Sequence, residues 1–105
     1  MGTQTEITDL IKTTAREYVL DADVLLFGSR ARKNESPDSD FDILIVTNLK
    51  LTPKEKLSLK SKIRKALLLS GIRSDILIQN KDEIEKKKRL PGHIIRNILN
   101  DAILL

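Results

Sequence analysis

Cysteine and tryptophan are absent from this chain of 105 residues, and Tyr18, Phe27 and Phe41 are its only aromatics. Without cysteine there is no disulfide framework and no thiolate to hold a metal. Two of the three aromatics lie inside apolar runs. That leaves no stacking platform for single-stranded nucleic acid and disfavours nucleic acid as a direct partner. No apolar run approaches the roughly 20 residues of a membrane-spanning helix. The first residues lack the basic and apolar regions of a signal peptide. Met1-Gly2 is followed at position 6 by Glu6, where a myristoylation motif carries Ser or Thr. The expectation is a single cytoplasmic domain spanning residues 1–105 with no membrane attachment.

Charge of either sign is in modest excess only. Nineteen basic against fifteen acidic residues leave +4, which favours polyanions but is equally explained by solvated lysines on helices. With 40% hydrophobic residues the chain has enough apolar side chain to form a core. There are no internal repeats, low-complexity tracts or linkers.

Two short apolar runs hold the most informative stretch. Val24 to Phe27 is followed by Gly28-Ser29, and Phe41 to Val46 is entered through Ser39-Asp40-Phe41-Asp42. Both runs read as buried strands. Gly28 marks a sharp turn or a close backbone approach. Asp40 and Asp42 are two residues apart, so an extended chain puts both on one face. Like charges at about 4 Å repel by roughly 4 kcal/mol at an effective dielectric near 20. A divalent cation would turn that repulsion into coordination, since Mg²⁺ takes one or two carboxylates together with substrate phosphates. A helix starting at Gly28-Ser29 would offer free N–H groups and a positive dipole end to phosphate. Arg30 and Arg32 follow closely, although either side chain would serve equally in a structural ion pair.

Gly28-Ser29 with Asp40-Phe41-Asp42, bracketed by apolar strands, resembles the signature of the nucleotidyltransferase superfamily that includes DNA polymerase beta. The fuller string Gly28-Ser29-Arg30-Ala31-Arg32 with Ser39 to Asp42 is similar to its smallest members, the minimal nucleotidyltransferases (MNT). A third carboxylate stands on a later strand in that superfamily, and Asp75, ahead of Ile76-Leu77-Ile78, fits the place. The resemblance covers about residues 7–80.

The rest of the chain supplies the frame. Ile7, Leu10, Ile11, Ala15, Tyr18 and Val19 recur at helical spacing over roughly 5–20. Asp21 and Asp23 read as turn residues. Thr52-Pro53 opens a helix whose apolar stripe is Leu57, Leu59, Ile63, Ala66 and Leu67, with Gly71 as its stop. Its lysines and arginine read as a solvated face. Asn80 and Glu83 form a capping box for the next helix, which ends before Leu90-Pro91-Gly92. A last helix carries Ile94, Ile95, Ile98, Leu99, Ala102 and Ile103, with the single histidine, His93, at its start as a solvated or structural residue. Leu104 and Leu105 are either docked on the domain or offered to a partner.

This order predicts an α/β (α+β) domain with a small three-stranded sheet and packed helices. The resemblance implies the mixed sheet of a polymerase-beta-like core. It also implies transfer of AMP from ATP to a hydroxyl, with Mg²⁺, two ions in all, on Asp40, Asp42 and Asp75. Asp75 would also orient or deprotonate the acceptor. Gly28, Ser29, Arg30 and Arg32 would bind the nucleotide. In the MNT family the acceptor is a tyrosine of a HEPN toxin, so the resemblance implies an antitoxin acting by AMPylation, with the final helix and Ile103 to Leu105 as docking surface. Two alternatives come from other classes: a non-catalytic antitoxin that keeps the nucleotide pocket and occludes its partner, and a basic nucleic-acid-binding domain.

Overall fold

A computed structural model describes residues 4–28, 40–92 and 94–105. Helix α1 (Gln4–Tyr18) leads into strand β1 (Asp23–Phe27), and β2 (Phe41–Thr47) follows. Helix α2 (Pro53–Leu69), strand β3 (Ser74–Asn80), helices α3 (Lys81–Lys88) and α4 (Ile94–Asp101), and a short β4 (Ile103–Leu104) complete the chain. The described helices number four, and none is long and apolar enough to cross a membrane.

The sheet has four strands in the order β3-β2-β1-β4, not the three expected. β1 runs antiparallel to both β2 and β4, while β2 and β3 are parallel. A parallel pair needs a crossover, and α2 supplies it. The fourth strand corrects the reading of Ile103 as helical. Helix α4 stops at Asp101, and Ile103 and Leu104 pair with Leu26 and Leu25 at the open edge of β1. The amide of Leu105 then donates to the Val24 carbonyl at 2.8 Å. Backbone groups at a bare sheet edge need partners, and this tail supplies them.

Alternation along the strands splits the core into two layers. On one face Val24, Leu26, Ile43, Ile45, Ile76 and Ile78 pack with α1 and α2 through Ile11, Ala15, Ile63 and Leu67. On the other, Leu44 and Val46 meet Ile84, Ile95 and Ile98 of α3 and α4, with Leu25, Phe27 and Leu77 at the margin. β2 is therefore apolar along nearly its whole length, as a strand covered on both faces must be.

The caps follow the sequence. Asn80 and Glu83 form the expected box, and Thr52 with Glu55 forms a second one behind Pro53. Gly71 (φ +82°) ends α2. Its amide and that of Ile72 bond to the carbonyls of Leu68 and Leu67, the Schellman pattern. Asp21 is the turn residue expected: its carboxylate accepts from the Thr47 hydroxyl (2.6 Å) and the Asn48 amide (2.7 Å), tying the end of α1 to the end of β2. One stripe residue differs. Leu57 is 63% exposed, because α2 turns Leu59, Ile63, Ala66 and Leu67 inward and leaves Leu57 on its flank.

Candidate active site

Gly28 follows directly on β1, and its φ of +74° is one that side-chain-bearing residues rarely adopt. A Cβ placed there would fall on the Asp42 carboxylate, within 3.0 Å of its carboxyl carbon. Both readings of this glycine hold: the backbone turns, and it passes close to something. That something is the carboxylate expected to bind metal.

Register decides what Asp42 faces. In the antiparallel pair it lies opposite Phe27, and in the parallel pair opposite Asp75. Phe27, Asp42 and Asp75 thus form one row across β1, β2 and β3. Neighbouring strands lie about 4.8 Å apart, so the two carboxylates are close neighbours. Their repulsion at an effective dielectric near 20 is roughly 3–4 kcal/mol. The row runs along the end of the sheet, where the second apolar layer gives way to polar side chains.

Asp40 lies outside this row. It precedes β2, is exposed, and forms an ion pair with Arg73 at 3.4 Å. It shares with Asp75 the lining of a cavity against α2. Among the described residues no group of three carboxylate, histidine or cysteine side chains is placed to hold a metal ion. Asp42 and Asp75 by themselves suit one divalent cation, which takes one or two carboxylates plus phosphate oxygens. The Asp40–Arg73 pair engages the Oδ1 atom of an exposed carboxylate. Ser29, Arg30 and Arg32, expected at the phosphates, lie outside the described residues, as does His93.

The basic face of α2 is not simply solvated. Lys56 donates to both oxygens of Glu83 at 2.8 and 2.6 Å, bridging α2 to α3. Burial pushes the Glu83 carboxyl up, but the Lys56 hydrogen bond, the Asn80 amide and the charges of Lys56 and Lys87 outweigh it and hold it below its ordinary value. Lys60 and Arg64, one and two turns further on, line the same cavity as Asp75. The spacing of Lys56, Lys60 and Arg64 was a visible signal of one common stripe.

A model of the nucleotidyltransferase domain matches residues 8–105. The chain belongs to this family. Comparison of this nucleotidyltransferase with curated proteins returns no match. Solved structures share its fold. A protein described as a minimal nucleotidyltransferase is 26% identical, with 92% of this chain and 87% of that chain covered and a TM-score of 0.58. A nucleotidyltransferase-like protein of Sulfolobus solfataricus is 21% identical over 94% of this chain and 76% of that chain, with a TM-score of 0.59. A complex of a tri-AMPylated Shewanella oneidensis HEPN toxin with an MNT antitoxin matches at 16% identity, covering 97% of this chain and 71% of that chain, with a TM-score of 0.58. At such identities the likeness is one of fold. It agrees with the polymerase-beta-like core expected from Gly28-Ser29, Asp40-Phe41-Asp42 and Asp75.

Proposed function

We propose that this nucleotidyltransferase moves AMP from ATP to a hydroxyl in a Mg²⁺-dependent reaction. The acceptor is a tyrosine of a HEPN-type toxin, so the chain acts in the cytoplasm as an antitoxin by AMPylation. The observation that carries the reading is the Asp42–Asp75 pair, register partners at the sheet end with Gly28 packed against Asp42. The MNT–HEPN complexes of the same fold support the choice of partner.

Asp42 and Asp75 would hold the cation, with Asp40 joining them. A bound divalent ion supplies the positive charge that offsets the triphosphate. Asp75 accepts the proton of the acceptor hydroxyl as its oxygen bonds to the α-phosphorus. The bond from that phosphorus to the β-phosphate oxygen breaks, and pyrophosphate leaves. Gly28 lets the backbone approach, and Ser29 donates to the phosphates, with Arg30 or Arg32 stabilising charge there.

Intact-mass spectrometry of a co-expressed HEPN partner tests this. A gain corresponding to AMP on tyrosine is expected, and it disappears with Asp42→Asn. A specific observation favours a second reading, a non-catalytic antitoxin acting by occlusion: Asp40 is committed to Arg73. In that case the partner is neutralised yet unmodified, and Asp42→Asn protects as well as the parent chain.

A further inference from the structure

The carboxylates proposed to hold the cation have a counter-charge beside them that this chemistry leaves unused. The amide of Phe41 donates to the Arg73 carbonyl at 2.9 Å, which carries the parallel ladder one residue ahead of β3. Phe41 is the register partner of Ser74, so Asp40 and Arg73 are the next pair along the entering chains. Their side chains meet accordingly, Arg73 Nε lying 3.4 Å from Asp40 Oδ1. Arg73 thus stands two residues ahead of the Asp42–Asp75 row. A strand residue advances about 3.3 Å, so the backbones of Arg73 and Asp75 are roughly 6–7 Å apart. Lys60 and Arg64 line a recess with Asp40 and Asp75 from the α2 side. Among the described residues neither of them forms an ion pair.

Asp40, Asp42 and Asp75 bring three carboxylates to one end of the sheet, and Arg73 offsets one of them. The species able to load that site respond to the guanidinium in opposite senses. A bare divalent cation is repelled by it. A divalent cation already bound to a triphosphate carries net negative charge and is attracted. The Arg73 and Asp40 side chains are 58% and 53% exposed, so solvent screens either effect to a few-fold. We infer that Arg73 selects the cation–nucleotide complex over the bare cation, so that metal enters the carboxylates with the nucleotide and not ahead of it. This rests on the proposed nucleotidyl transfer.

Mn²⁺ binding to the full chain, followed by electron paramagnetic resonance with and without AMP-PNP, tests it at low ionic strength. Arg73→Gln should tighten bare Mn²⁺ by about threefold and weaken the Mn²⁺–AMP-PNP complex by a similar factor. Arg73→Lys keeps the charge and should stay within about twofold of the parent on both. Added salt should shrink the differences. Both variants should melt with the parent, because a half-exposed ion pair contributes little to stability. A merely structural role lowers both affinities together, so opposite shifts are the signature of charge. Bare Mn²⁺ that binds Arg73→Gln no more tightly than the parent overturns the inference. So does an Arg73→Lys chain that behaves like Arg73→Gln. Either result, beside a parent that binds Mn²⁺–AMP-PNP, leaves nucleotidyl transfer standing. A parent that binds neither Mn²⁺ nor its AMP-PNP complex sinks both claims.

Discussion

Gly28 and Asp42 occupy space that admits no methyl group between them: a Cβ on the glycine would land on the carboxylate. The contact joins the backbone turn after β1 to the first interior residue of the neighbouring strand. Gly28→Ala must therefore strain a positive φ and displace Asp42 together. We expect a loss of at least about 1–3 kcal/mol of stability, read from urea midpoints, and abolished AMP transfer. Parental stability and activity in the variant would show that the close approach has no role.

Asp42→Asn separates metal binding from architecture. It removes one of two adjacent like charges, so the metal-free protein should be as stable as the parent or more so, while transfer is lost. Thermal melts with and without Mg²⁺-ATP give both readings, since a ligand of the folded state raises the melting temperature by mass action. A collapse of metal-free stability would make Asp42 a structural residue.

Lys56 and Glu83 should prove energetically coupled. Their side chains are mostly shielded (18% and 28% exposed), and Glu83 also caps α3. Glutamine at position 83 retains the cap, so Glu83→Gln isolates the ion pair. A charged hydrogen bond of this kind contributes about 1.5–3 kcal/mol. A double-mutant cycle with Lys56→Met should return a coupling of about 1 kcal/mol or more. Additive single effects would mean that α2 and α3 are held together by packing alone.

Acid should unfold the chain partly through Asp21. The Thr47 hydroxyl and the Asn48 amide hold its carboxyl below the ordinary value of 3.8, and Lys56 with Asn80 does the same for Glu83 against 4.5. A depressed folded-state pKa stabilises above the unfolded value and is lost as pH falls through the folded one. Urea midpoints should therefore stay level with respect to these groups above about pH 5 and fall below pH 4.5. Asp21→Asn should lower the midpoint at pH 7 and flatten the acid decline. An unchanged decline would remove Asp21 from the account.

Much of this molecule was legible residue by residue. Pro53, Gly71 and the Asn80–Glu83 box set helix ends, because caps are local chemistry within a few bonds of the chain. The apolar strands, the turn at Gly28 and the places of Asp42 and Asp75 near the starts of β2 and β3 were legible for the same reason. Local periodicity misled at α4, where Ala102 and Ile103 continue the helical spacing of Ile95 and Ile98. Two edge hydrogen-bonding residues carry too little pattern to compete, and the bare edge of β1 that recruits them is nonlocal. Leu57 misled similarly, since which arc of α2 meets the sheet depends on α1 beside it.

Sequence by itself determined which groups carry charge, turn the backbone or favour a strand, since these are properties of single residues and short spacings. Tertiary structure decided which of them meet. The parallel register of β2 with β3 sets Asp42 against Asp75, and the same strand entry pairs Arg73 with Asp40. The crossover of α2 brings Lys60 and Arg64 over Ser74. Each of these meetings joins residues distant in the chain, and their energies depend on separations that only the packed sheet and helices define.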